Sequence, residues 1–207
     1  DLMIEHGKIV AVKTNRGSIK CGCVVQAIAG ASSILMNKLH IKSPIHTFPL
    51  QAMVSQPFKP FINPLVSSSA LHCYVQQTSR GEIVFGGGSD PYPLYNTRST
   101  LDLKESLLAH AIEMFPFMAN VKLMRQWAGM TDMTPDYSPI MGKSPYDNYY
   151  LDAGWGTWGF KSTPICGKTM AELVATGRTP DLIKPFELSR FSRFQQVNEM
   201  GATAASH

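Results

Sequence analysis

From Gly154 to Lys161 the sequence reads GWGTWGFK, and the STPICGKTMAELVATG that follows has the pattern of a helix. Glycines let backbone N–H groups come close to a ligand, and a helix start carries the positive end of the macrodipole. Such a junction suits an anion. A lysine at the same end is locally disfavoured, so Lys161 makes sense if a bound anion lies beside it. Gly154, Gly156 and Gly159 match the spacing G-x-G-x-x-G, and the loop is not a Walker motif. A tight turn with core tryptophans is the competing explanation.

Other polar residues say less. His72 and Tyr74 alternate along ALHCYVQQTS, read as a strand, and are candidates to face a substrate. A histidine on a strand is more often structural. Asp90, Asp132 and Asp136 are not spaced as a catalytic carboxylate pair. Of Cys21, Cys23, Cys73 and Cys166, only CGC is close-spaced, and without a second pair it is weak as a zinc site. No metal is expected, and four reduced thiols suit a cytoplasmic protein.

The elements that must position these residues follow from pattern. KIVAVKT, NRG and SIKCGCVVQAIAG read as strand, turn and strand. A strand closing at Gly30 and Ala31, with a short helix from about Ser32, resembles an α/β layer that meets a cofactor at its strand ends, although an ordinary turn explains it more often. From His46 the texture becomes short strands broken by prolines and glycines, the mark of an antiparallel sheet. TLDLKESLLAHAIEMFPFM is amphipathic, with Thr100 as its cap and Pro116 as its end. Strands return in VKLMRQWAGMTDMTPDYSPIMG and NYYLDAGWG. A last helix takes Thr163 as N-cap, Pro164 in its first turn and Gly177 at its end, before a polar tail.

The 207 residues are 44% hydrophobic and 16% charged, the composition of a folded protein. A net charge of +4 with scattered basic residues argues against nucleic acid. No apolar run is long enough for a membrane span, and no leader is visible. The chain opens on Asp1 and enters a sheet at once, which suggests a piece of a longer protein.

WAGMTDMTPDYSPIMG followed by YYLDAGWGTWGFKSTPICGKTMAELVATG resembles the C-terminal part of the D-amino-acid oxidase superfamily of flavoproteins. With FPLQAMVSQPFKP added, the chain is similar to the β subunits of heterotetrameric sarcosine oxidases over nearly its whole length. The resemblance implies a mixed α+β and α/β fold. Residues 1–45 and 124–207 would be pieces of a glutathione-reductase-like FAD-binding domain, and 46–123 an antiparallel-sheet substrate domain. It implies oxidative demethylation of an N-methyl amino acid, sarcosine first, by hydride transfer to FAD. Another amine dehydrogenase of the superfamily, or a folded piece without flavin, is the alternative. Partner subunits, FMN, NAD and tetrahydrofolate would complete the enzyme. Lys161 would bind the substrate carboxylate. Gly154, Trp155, Gly156, Thr157, Trp158, Gly159, Phe160 and Lys161 would lie along the flavin pyrimidine edge, with Gly30, Ala31, Thr131 and Met133 nearby. Gly129 stands where monomeric relatives carry a cysteine joined to FAD, which implies non-covalent FAD. Val84 falls near the place of their oxygen-activating lysine, which implies that electrons leave towards FMN. The G-x-G-x-x-G βαβ unit that holds the FAD pyrophosphate is not among these residues, so the piece alone would be inactive.

Overall fold

A computed structural model describes residues 1–197, and the rest of the expected C-terminal tail lies outside the described residues. The chain divides into two compact units. Asp1–His46 joins the chain from Asp132 onward in the first, and Thr47–Thr131 makes the second.

The first unit starts with strands β1 (Leu2–Glu5), β2 (Lys8–Thr14) and β3 (Gly17–Lys20), an antiparallel sheet ordered β1-β2-β3. Alternation in β2 sends Ile9 and Ala11 inward. The next sheet is ordered β10-β11-β4, from β4 (Val24–Gln26), β10 (Ile140–Lys143) and β11 (Tyr149–Ala153). Its β4 runs parallel to β11, with Tyr149 opposite Val24 and Leu151 opposite Gln26, whereas β10 and β11 are antiparallel. Tyr149 and Leu151 pack with Ile9, Ile140 and Met36 of α1 (Ser32–Lys38). Tyr150 points the other way, with Met141, to meet Met170 and Leu173 of α3 (Gly159–Thr176). A strand covered on both faces must be apolar throughout, and YYLDA nearly is.

The last helix begins four residues earlier than Thr163, at Gly159, so Lys161 is inside its first turn rather than ahead of it. Pro164 is an interior residue. It removes one i→i−4 donor, at an exposed face where the loss is tolerated. Thr163 does not cap; its Oγ1 donates back to the Gly159 carbonyl at 2.9 Å. Gly177 ends the helix at φ 69°, donating its N–H to Leu173.

A buried ion pair closes this unit. The Arg190 Nε donates to Asp136 Oδ2 at 2.8 Å and its Nη2 to Oδ1 at 3.0 Å. The remaining guanidinium donors reach the carbonyls of Phe186, Glu187 and Ser138. Burial works against the Asp136 carboxylate, but hydrogen bonds from Arg190, Val197 and Ser138 hold its pKa below the ordinary value.

The second unit is one sheet ordered β6-β7-β8-β5-β9. Its strands are β5 (His46–Pro57), β6 (Val66–Ser68), β7 (Cys73–Gln77), β8 (Glu82–Ser89) and β9 (Leu123–Met133). Met53, Val75, Ile83 and Phe85 form its buried face against Leu107 and Ala111 of α2 (Leu101–Met114), with Leu103, Leu108, Ile112 and Phe115 half-buried around them. Thr100 stands at the N-cap position without capping. Its hydroxyl donates to Asp90 Oδ1 at 2.8 Å and accepts from Gln51 Nε2 at 2.9 Å, a buried polar cluster that wins over the local cap. Within the glycine run of β8, a side chain at Gly86 would strike the Gln51 carbonyl at 2.6 Å, so close strand approach explains that glycine without a ligand.

Candidate functional site

Both strands of the parallel pair β4–β11 lead at their carboxyl ends into one cleft. That is where open α/β layers place ligands. The cleft has a volume of about 460 Å3, inside the range of small-molecule sites. Ala27 and Ala29 line it after β4; Trp155, Gly156 and Thr157 line it after β11. Gly159, Phe160, Thr163 and Gly167 of α3 form a further wall. Phe160 is 94% exposed there, an unusual position for an aromatic side chain. At Gly167, mid-helix, an added Cβ would meet nothing within 4 Å, so the backbone itself borders open space.

The loop geometry depends on glycine. Gly154 has φ 74° and Gly156 φ 54°, left-handed values that a side chain resists. A Cβ at Gly154 would lie 2.6 Å from Thr134 Cγ2, and one at Gly156 would lie 2.6 Å from the Met133 sulfur. Met133 thus supports the loop from beneath.

Of the residues expected at the site, Trp155, Gly156, Thr157, Gly159 and Phe160 line the cleft. Gly154 is buried behind them. Trp158 instead lines a neighbouring apolar cavity of about 270 Å3, which shares Trp155 and Cys166 with the cleft. Lys161 is exposed, and its Nζ sits 5.8 Å from the Trp158 ring centroid. It has no carboxylate partner among the described residues, and the first turn of α3 contains no acid. Gly30 and Ala31 lie in a single 3-10 turn, and the cleft is reached by Ala27 and Ala29 instead. Thr131 is buried with no partner for its hydroxyl among the described residues.

His72 and Tyr74 belong to the second unit. They do not alternate on one strand. His72 precedes β7, in a turn at φ 45°, with a buried Nδ1 that has no partner among the described residues. Tyr74 is on β7, its pKa raised by burial first and by the neighbouring Cys73 second.

Sequence reasoning missed two carboxylates on the cleft wall. Asp132 Oδ2 accepts the Gly154 N–H at 2.5 Å, and its main-chain carbonyl accepts the Gly156 N–H at 2.9 Å. Asp152 accepts the Trp155 Nε1–H at 2.6 Å. Burial raises both pKa values, and the bonds each carboxylate accepts oppose that. The signal was available for Asp152, two residues before the glycine turn on the last strand. Asp132 is far from the loop in sequence and only the fold brings it there. Cys166, on the same wall, has its thiol pushed up to about 11, by burial first and by Asp152 second, which favours the neutral thiol.

A glycine turn at the carboxyl ends of parallel strands, opening a helix beside a cleft, is the layout of a cofactor-binding α/β layer; the second unit is an antiparallel sheet packed against one helix. The chain belongs to the DAO family of FAD dependent oxidoreductases, whose model matches residues 1–173. It is 42% identical to the sarcosine oxidase subunit beta of Rhodobacter capsulatus over 98% of this chain and 49% of that protein. It is equally similar, at 42%, to the Arthrobacter sarcosine oxidase subunit beta, over 97% of this chain and 49% of that one. The chain therefore spans about half the length of these curated relatives. Among solved structures, the L-proline dehydrogenase of P. horikoshii superposes with a TM-score of 0.85 at 32% identity, covering 95% of this chain and 54% of that one. The glycine oxidase of Geobacillus kaustophilus shares the fold, with a TM-score of 0.81 at 21% identity, over 92% of this chain and 51% of that one. The mixed fold with antiparallel sheets agrees with the resemblance. No helix among the described residues is long and apolar enough to cross a membrane.

Proposed function

We propose that this chain supplies the flavin-ring and substrate end of an amine-oxidising flavoenzyme acting on an N-methyl amino acid, with sarcosine as the first candidate. The observation that carries this is the glycine turn entering α3 beside an open cleft, with a cation and no acid in the helix's first turn. The cleft suits a flavin edge: Gly167 leaves backbone facing open space, and Phe160 stands uncovered beside it. FAD, when bound, supplies the two-electron acceptor for the substrate's methyl hydride. Loop residues 154–160 would hold the ring, non-covalently, as Gly129 replaces any linking cysteine. Met133 would support that loop, and Gly30 and Ala31 would fix the turn that brings Ala29 to the cleft.

The chain's own chemistry is binding and electrostatics. First-turn N–H groups of α3 have no intrahelical partners, and the helix end favours negative charge. Lys161 would turn its long stem from Trp158 to meet the substrate carboxylate. His72 and Tyr74 would serve the substrate side, with Thr131 near the ring. The product imine would be hydrolysed or passed to tetrahydrofolate. Partner subunits with FMN and NAD would take the electrons onward, consistent with an apolar Val84 near the oxygen-lysine position. Names of relatives favour a second substrate reading: D-amino acid dehydrogenase and L-proline dehydrogenase proteins are similar too. Initial rates of the full-length enzyme across sarcosine, dimethylglycine, proline and D-amino acids decide between them.

Lys161→Met keeps the stem and removes the charge. In the full-length enzyme we expect it to weaken a carboxylate inhibitor by about tenfold or more while sparing flavin content, since a charge-assisted bond is worth more than about 1.4 kcal/mol. Titrating the flavin spectrum with the inhibitor checks this. Unchanged affinity would make Lys161 a solvated surface residue.

A further inference from the structure

We propose that Asp132 is the positioning residue of the glycine loop, an internal anion that fixes the loop before any flavin arrives. This rests on the flavin reading of the cleft. Gly154 and Gly156, both left-handed, flank Trp155, and such a turn makes successive N–H groups converge into a concave nest for an anion. A nest facing a cleft invites the conclusion that the ligand is that anion. Here the protein fills it. The Asp132 carboxylate takes the Gly154 N–H at 2.5 Å, and its carbonyl takes the Gly156 N–H at 2.9 Å. Burial raises the Asp132 pKa, and backbone hydrogen bonds at Gly154, Gly156 and Trp155 oppose that rise.

The consequence is a division of labour. Donors at Gly154 and Gly156 are already used, so the loop donates to a ligand only from beyond Gly156 and from the first turn of α3. Asp132 is 2% exposed and sits at the end of β9, which makes it a fixed anchor rather than a mobile contact. Asp152 adds to this by holding the Trp155 indole. Loop shape, indole orientation and the start of α3 are then set by carboxylates behind the cleft wall.

The test has two readouts. In the flavin-free protein, Asp132→Ala should speed amide exchange at 154–158 by about tenfold or more, because a hydrogen bond to a charged group is lost. Exchange in β7 and β8 should not change. Asp132→Asn, which keeps an acceptor oxygen, should give an intermediate rate and covers the case in which the alanine variant does not fold. In the full-length enzyme loaded with flavin, the alanine variant should bind FAD more weakly by a similar factor and shift the visible flavin bands, with asparagine restoring part of both. Unchanged exchange at 154–158 overturns the proposal. Faster exchange with unchanged FAD affinity leaves Asp132 holding the loop and overturns the flavin reading instead.

Discussion

Arg190→Met should destabilise the protein by about 3–5 kcal/mol, because it leaves the Asp136 carboxylate buried and unpaired. Both side chains are 2% exposed, so water cannot replace the lost partner. The guanidinium also lies 4.1 Å from the Phe191 ring centroid, and that contact goes with it. At about 2–4 °C per kcal/mol for a chain of this size, thermal unfolding should fall by about 6–20 °C. The double variant Asp136→Leu with Arg190→Met should recover much of this, since an apolar pair removes the desolvated charge as well. A double variant as unstable as the single one would mean that packing, not charge, sets the loss. Acid gives an independent check. The folded pKa of Asp136 lies below its unfolded value, so the pair's contribution is present above the unfolded pKa and disappears as pH falls through the folded one. Arg190→Met should flatten that acid limb of the stability curve.

Gly154→Val should abolish the loop geometry on which the site depends. A β-branched residue at φ 74° costs about 1–2 kcal/mol or more. Its Cβ would also lie 2.6 Å from the buried Thr134 Cγ2, which adds about 1–3 kcal/mol of overpacking. Because Gly154 also delivers its N–H to Asp132, the displaced backbone loses its anchor. In the full-length enzyme, FAD retention through gel filtration should drop at least tenfold, more than stability measured on the flavin-free protein explains. Retention that falls only in step with stability would make the loop a structural turn.

Most strands and helices were legible because their patterns are strong, although SIKCGCVVQAIAG, read as one strand, is β3 and β4 in two different sheets. LHCYVQQ, EIVFGGGS and YYLDA carry the expected apolar residues, and Leu103, Leu107, Ala111 and Phe115 mark one face of α2. Where reading failed, a distant partner had displaced a local rule. Thr100 has an N-cap's identity, yet Asp90 and Gln51 claim its hydroxyl. Thr163 and Pro164 look like a helix start, yet the helix begins at Gly159 because the loop hands it over already turned. His72 alternates with Tyr74 in sequence, but the chain is still turning there. Asp132 had no readable role, since nothing local says that a residue at the end of one strand will hold the turn after another. Lys161 was legible as an anomaly, because a cation beside a helix start with no acid near it stands out from residue order alone.

Hydrogen exchange of the full-length enzyme, flavin-loaded against flavin-free, tests the central claim most directly. The cleft assignment predicts that FAD slows exchange in peptides covering 154–167 and 27–29, the segments that border the cleft from α3, the glycine loop and the end of β4. Protection absent from 154–167, or confined to residues 47–131, would contradict it.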